Sequence, residues 1–575
     1  MNEKTIHNMN GFHVGRNVRR SGLAAKQHSS TVCASESGMF ERVRIIMFVS
    51  YGFIAFMLVA FVLYYLIPRR FQWMLLLIAN FLFYFSAGKY YPIFILVTAA
   101  TVYGAGMMMA RCDEELERYA AGVRAGEIPK PSRDEKKAYK KKVNGKKKRW
   151  MLLCLFLNLG ILAVTKYTNF ALKNVQNIAG GEFTPIDLIV PLGISFYTFQ
   201  AVSYLLDVYW NKCAPQKNFF RFALYVTFFP QLIQGPISRY GDLSQTLYGE
   251  HGFDWKQVRF GLERILWGYF KKLVVADRIG IAMGTLLEDP EYYTGGFVFV
   301  GMIFWAVQLY ADFTGGIDIT IGIAQVFGIH VEENFIRPFF SKNIAEYWRR
   351  WHITMGTWFR DYLFYPLSIS RPMKNITTAT KKRFGMGGAR RVAVYISTML
   401  VWLATGIWHG AAWHFVVWGL ANGAIILLSE ECAPLYEKFH ARFPKLGISW
   451  GYRAFQVIRT FLLMCCLRLF DTYADLGLAV KQFIHMFTQF RWNQLTVQEL
   501  VDLGLGKKDY LVVFLGVLLM FAVSMMGRRG SVRERISQKP YVVRYGIFLM
   551  LFFITLLFGI YGVGFDARQF IYNQF

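Results

Sequence analysis

Cysteine is scarce: Cys33, Cys112, Cys154, Cys213, Cys432, Cys465 and Cys466 are an odd set of seven in 575 residues, without paired spacing. That excludes a disulfide scaffold. Charge is sparse as well. Only 18% of residues are charged, against roughly 25% in soluble domains. Acidic residues are the shorter side, 37 Asp and Glu against 65 Lys and Arg. No G-x-G-x-x-G stands in a βαβ setting, and no Walker A loop, H-E-x-x-H or G-x-S-x-G elbow occurs. Dinucleotide, nucleotide, zinc-protease and serine-hydrolase chemistries therefore have no motif to stand on. No short apolar core with a small-residue cleavage site precedes residue 45, so a signal peptide fits poorly. Internal repeats are lacking and strand patterning is scarce, which leaves an all-α class.

What is present is apolar and aromatic mass: 54% hydrophobic residues, with 53 Phe, 32 Tyr and 15 Trp. Disorder is excluded on that ground. The net charge is nevertheless +28, and four segments hold +23 of it. Residues 111–149 carry +7, 371–391 carry +7, 525–545 carry +5 and 1–46 carry +4. A nucleic-acid binder would show a basic face on a soluble domain. Here basic loops alternate with long apolar runs, the positive-inside pattern of a polytopic membrane protein. The same loops suit anionic lipid headgroups or an anionic donor.

Apolar spans are expected at 45–67, 71–87, 91–110, 151–170, 188–209, 219–237, 295–328, 392–409, 411–430, 452–471, 511–527 and 545–563. About 11–13 crossings are expected, with re-entrant or interfacial helices among them. If Arg69-Arg70 and the Lys-rich 111–149 loop are cytoplasmic, the parity closes through 371–391 and 528–544. Residues 1–46 break the pattern, because an outside N-terminus would carry seven Lys and Arg. They read as a disordered basic extension, and Met47 as the start of the working protein.

Two stretches hold polar groups where apolar ones are expected. Residues 335–370, FIRPFFSKNIAEYWRRWHITMGTWFRDYLFYPLSIS, interleave Trp348, Trp351 and Trp358 with Arg349, Arg350, His352, Arg360 and Asp361. That fits amphipathic helices lying at the interface or folded into the interior. Snorkelling arginines in an aromatic belt would account for Arg349, Arg350 and Arg360, but not for His352. Residues 402–423, WLATGIWHGAAWHFVVWGLANG, place Trp408-His409-Gly410 inside an apolar helix pair. An ionisable group at membrane depth is costly and marks function. A histidine there suits a general base, since its reference pKa of about 6.5 is near working pH. A continuous helix would put His414 about 140° around from His409, so His414 reads as a hydrogen-bonded core residue. The ten scattered histidines speak against a metal site.

These residues resemble the membrane-bound O-acyltransferase family, in the branch containing alginate O-acetylase and the teichoic-acid D-alanyltransferase. The resemblance runs from about Met47 to about residue 470. It rests on PLGISFYTFQAVSYLLDVY (191–209), FFPQLIQGPISRY (228–240), GYFKKLVVAD (268–277), the surroundings of Asp312, WRRWHITMGTWFRDYLFYPL (348–367) and WHGAAWHFVVWGLANG (408–423). The terminal FIYNQF (570–575) is similar to the ending of the acetylase branch.

The resemblance implies a ring of transmembrane helices around a central tunnel, in the bacterial cytoplasmic membrane. It implies His409 as the active-site histidine and His352 as the second, positioning or polarising the donor carbonyl or sharing the proton. Trp408, Gly410, Trp351, Arg349, Arg350, Asp361, Asp312 and Asn422 are then candidates to line the tunnel. No bound cofactor is implied. The donor is acetyl-CoA or another acyl thioester, and a carrier-protein thioester in the D-alanyl alternative. The acceptor is a polysaccharide, served by an extracytoplasmic SGNH-type partner. Residues 47–470 would form the transferase core and 471–575 further membrane helices. Two departures stand out: Asn422 replaces a second histidine of some acetylases, and CCLRLF (465–470) retains only Arg468 of a late-helix motif. A non-catalytic transporter or flippase is the alternative from another class; it would line a path with paired charges.

Overall fold

The computed structural model describes residues 48–561, so the expectations for residues 1–46 and 570–575 lie outside the described residues. Those described are mainly helical, with no strand beyond one isolated antiparallel bridge between Phe335 and Trp351. Eight helices are long and apolar enough to cross a membrane: Arg69–Ala87, Tyr91–Ala125, Arg133–Ala179, Gly296–Val326, Arg371–His409, Trp413–Glu431, Lys507–Arg529 and Tyr541–Phe558. The shorter Tyr51–Leu66 adds an apolar helix.

The expected span 452–471 is one helix, Trp450–Thr472, whereas two others are built differently. The expected span 219–237 is split into Phe219–Thr227 and Phe229–Gln234, because Phe228 leaves the helical region one residue before Phe229-Pro230. Residues 188–193 are irregular, and the helix that follows, Ile194–Tyr209, has 16 residues.

Two of the basic segments, 111–149 and 371–391, are largely helical, contrary to expectation. Residues 111–125 and 133–149 extend Tyr91–Ala125 and Arg133–Ala179, and 371–391 begin Arg371–His409. Lys, Arg, Glu and Ala are good helix formers. Ser132 also starts its helix with a capping box, accepting from the Glu135 N–H while the Glu135 carboxylate accepts from Ser132 N–H. At 47 residues that helix is about 70 Å long, far more than the roughly 30 Å apolar thickness of a bilayer.

Five helices position the site: α1 (Trp255–Tyr269), α2 (Gly296–Val326), α3 (Arg371–His409), α4 (Trp413–Glu431) and α5 (Trp450–Thr472). Helices α1 and α2 cross on glycines. A Cβ at Gly261 would sit 2.7 Å from the Gly322 carbonyl oxygen, and one at Gly268 2.6 Å from that of Gly315. Backbones this close let short acidic side chains meet long basic ones. Arg264 reaches Asp318 at 2.8 Å and Glu333 at 2.6 Å, Lys271 reaches Asp318 at 2.5 Å, and Lys272 bridges Asp312 at 2.6 Å and Asp277 at 2.8 Å. A π-helical stretch, Phe270–Ala276, carries both lysines.

Candidate active site

Helix α3 ends at His409, and α4 begins at Trp413. The W-H-G motif is therefore a helix end, where the expected spans 392–409 and 411–430 part, and His409 and His414 stand on different helices. The end is held from outside. Lys166 Nζ donates to the Trp408 carbonyl at 3.0 Å, and Tyr167 Oη donates to that of Ile407 at 2.7 Å. A cation at a helix C-terminus meets the negative end of the macrodipole. Gly410 follows in extended backbone, and its α-carbon faces the Phe415 ring so closely that a Cβ would sit 2.2 Å from it.

His409 faces inward. Its ring lies 4.6 Å from that of Trp418, edge to face, and 5.1 Å from that of Trp408. It is half-buried, and part of its accessible surface belongs to an internal cavity of about 20 Å³. Trp305, Leu309, Trp348, Trp351, Phe415, Trp418, Arg468 and Asp471 complete the lining. That volume holds about one water molecule.

The segment 335–370 folds into the interior around a sharp break. Ile344–Arg350 stops, and Ile353–Phe359 starts anew after Trp351 and His352. His352 adopts left-handed backbone, φ 47°, a conformation costly for a residue with a side chain. Asn334 holds it there. The Asn334 Oδ1 accepts from Thr354 N–H and Thr354 Oγ1, both at 3.0 Å, and lies 3.3 Å from His352 Nδ1. Burial pushes the His352 imidazole down to about 3, so it is neutral at working pH. Its ring sits 6.1 Å from that of Trp408. Trp408 thus neighbours both histidines, while His352 itself does not line the cavity.

The other expected residues divide. Trp351 lines the cavity. Asn422 supports its wall, accepting from Trp348 Nε1 at 3.1 Å and donating to the Trp418 carbonyl at 2.8 Å. Asp312 belongs to the α1–α2 ion ladder with Lys272. Asp361 pairs with Arg239 and Arg360. Arg350 pairs with Glu346 at 2.5 Å, and Arg349 is exposed. His414 donates from Nδ1 to the Ala474 carbonyl at 2.7 Å, as a core histidine should. Among the described residues no three His, Cys, Asp or Glu side chains gather as a metal site.

The sequence reading missed Trp305, Arg468 and Asp471 as site residues. Arg468 Nη1 donates to Asp471 Oδ2 at 2.7 Å, and Trp305 Nε1 donates to Asp471 Oδ1 at 2.8 Å. The Arg468 guanidinium lies 4.5 Å over the Trp351 ring. The signal was available: an Arg and an Asp three residues apart inside the apolar stretch 452–471.

Residues 216–380 match the MBOAT, membrane-bound O-acyltransferase, family. A probable alginate O-acetylase of Pseudomonas syringae pv. tomato is 31% identical over 75% of this chain and 73% of its own length. The chain belongs to the MBOAT family. It is a multi-pass membrane acyltransferase. A peptidoglycan O-acetyltransferase of Helicobacter pylori is 31% identical over 55% of this chain and 61% of its own. A teichoic acid D-alanyltransferase of Bacillus subtilis is 26% identical over 49% and 68%. The MBOAT match covers the segment that carries His352; His409 lies beyond it, on the helix that the match enters.

Proposed function

We propose that this MBOAT enzyme moves an acyl group, acetyl in the first instance, from a cytoplasmic thioester to hydroxyls of a cell-surface or exported polysaccharide. Acetyl-CoA is the donor, and the enzyme works in the bacterial cytoplasmic membrane. A separate SGNH-type transferase on the outer side passes the group to the acceptor. Residues 47–470 carry the transferase core and 471–575 the C-terminal helices.

The observation that carries this reading is His409 on a cavity lined by four tryptophans together with Leu309, Phe415, Arg468 and Asp471, at a helix end fixed by Lys166 and Tyr167. His409 takes the proton of the attacking hydroxyl. That hydroxyl belongs to the acceptor or to a serine of the partner. A positioned base of this kind contributes about 10²–10⁴-fold. His352, neutral behind Trp408, acts from behind the cavity wall and positions the donor carbonyl through Trp408. The aromatic wall excludes bulk water, so transfer outruns hydrolysis. Trp408, Gly410 and Trp351 shape this passage, and Asn422 fixes its wall.

His409→Ala should abolish ester formation on the cell surface while membrane insertion is unchanged. Near-wild-type ester levels in that variant would refute the assignment. The relatives also support a second reading, D-alanyl transfer from a carrier-protein thioester to teichoic acid. Mild base releases either ester, and identifying acetate or D-alanine separates them.

A further inference from the structure

We propose that Arg468 is a catalytic residue, the group that stabilises the oxyanion of acyl transfer, and that the cavity beside His409 seats that oxyanion. This rests on the acyl-transfer reading above and adds the element that reading lacks, a place for developing negative charge.

Arg468 is 5% exposed on an otherwise apolar part of α5. A buried guanidinium is expensive, and Asp471 one turn on, with the Tyr347 hydroxyl accepting from Nη2 at 3.4 Å, compensates it. Asp471 is in turn anchored to α2 by Trp305. The pair is therefore fixed by two helices. A tie between helices alone does not need ions, because apolar residues of similar volume serve as well or better. The pair instead lines the cavity that His409 lines, with Trp305, Trp348, Trp351 and Trp418 around it. Charge bordering a small, largely tryptophan-lined space away from bulk solvent stabilises a transition state far more than it would in water. The cavity's volume, about 20 Å³, fits a single oxygen. Arginine also suits the neighbour of a base. It stays protonated at all working pH values, so it does not exchange protons with His409.

The step balances. The acceptor oxygen gives its proton to His409 and its electron pair to the thioester carbonyl carbon, forming a C–O bond. The carbonyl π pair moves onto oxygen, which becomes the oxyanion facing Arg468. Collapse restores the C=O and breaks the C–S bond. The leaving thiolate takes the proton from His409. Thioester and alcohol become ester and thiol, and Arg468 is unchanged. Asp471 is a positioning residue, since it acts through Arg468.

The test uses the full-length protein in its native membrane, with base-labile surface ester as the rate readout and thermal unfolding in detergent as the stability readout. Arg468→Met alone should lower both. The double variant Arg468→Met/Asp471→Leu replaces the ion pair by apolar volume. It should recover stability yet form ester about 10²–10³-fold more slowly, the size expected for a lost oxyanion donor. A double variant with wild-type transfer overturns the proposal. Should the double variant not accumulate, Arg468→Lys decides. It keeps a cation but loses the fork, and a tenfold or greater loss of rate in the folded protein supports the proposal while an unchanged rate overturns it. His409→Ala runs alongside. If that variant still transfers, the acyl-transfer reading itself falls. If it is inactive while the double variant is active, only Arg468 is misassigned.

Discussion

Gly406→Ala puts the geometry of the W-H-G end to a quantitative test. Gly406 lies one turn before His409 and Gly410, where α3 crosses α4. A Cβ there would stand 2.4 Å from the Phe415 carbonyl oxygen and 3.2 Å from Val416 Cα. Ordinary contact begins near 3.4 Å, so the helices must part by about 1 Å locally. Both obstructing atoms are backbone, so no side chain can swing away. Overpacking of this kind costs about 1–3 kcal/mol. The catalytic effect should be larger than the stability effect, because a displacement of about 1 Å at a reacting group can cost about 10²-fold in rate. Gly546→Ala is the matched control: its added methyl meets nothing within 4 Å, so it should be neutral in both readouts. The assay pairs unfolding temperature in detergent with base-released surface ester per unit of membrane protein. Wild-type ester formation by Gly406→Ala would show that close approach of α3 and α4 does not set the position of His409. A loss of transfer matched by an equal loss in Gly546→Ala would discredit the assay.

Three further outcomes are expected. Lys166→Met removes the ammonium from the Trp408 carbonyl. Hydrogen bonds to charged groups are worth about 1.5–3 kcal/mol, so stability should fall by that order and transfer with it, whereas Lys173→Met on the same helix should change neither. Lys272→Met takes the cation from between Asp277 and Asp312 and should cost about 3–5 kcal/mol, read as a steep drop in unfolding temperature. His352 is held neutral in the folded protein, its pKa pushed down to about 3. The unfolded chain binds that proton below about 6.5, so the folded state loses stability as pH falls from 6.5 towards 3. His352→Gln should therefore show a shallower fall in unfolding temperature between pH 7.5 and 5 than the wild type, and an equal fall would refute the burial argument.

Legibility in the sequence followed the range of the interactions. His409 could be found because an ionisable group inside an apolar run is anomalous on its own, without knowledge of its neighbours. Trp351, on the cavity wall, stands out because a dense mixture of tryptophan and charge suits neither lipid nor water. Asp312 and Asp361 carried the same local signal, yet their roles were set by Lys272 and Arg239, 40 and 122 positions away. No local pattern encodes such a pairing. Arg349 was named for its neighbours alone, and the helix that carries it turns it outward.

The charge distribution shows why the presence of apolar spans is easier to read than the element boundaries. Positive-inside bias depends only on where lysines and arginines fall relative to apolar runs, and so it survives whether a basic segment is loop or helix. The boundary between loop and helix depends instead on capping and propensity. In 111–149 both favour helix: Ser132 with Glu135 opens one, and the lysines that follow extend it without a break into the apolar stretch from Trp150. Arg468 illustrates the converse. Its helix, 450–472, reads as an apolar span although it carries Arg453 and Arg459 as well, so one more arginine hardly stands out. What distinguishes it is a partner one turn away, a tryptophan from α2 behind that partner, and a histidine across a water-sized gap. An isolated charge would make such a helix harder to bury, whereas Arg468, paired with Asp471, bonded to Tyr347 and bordering the cavity beside His409, has an arrangement that suits the oxyanion role proposed for it.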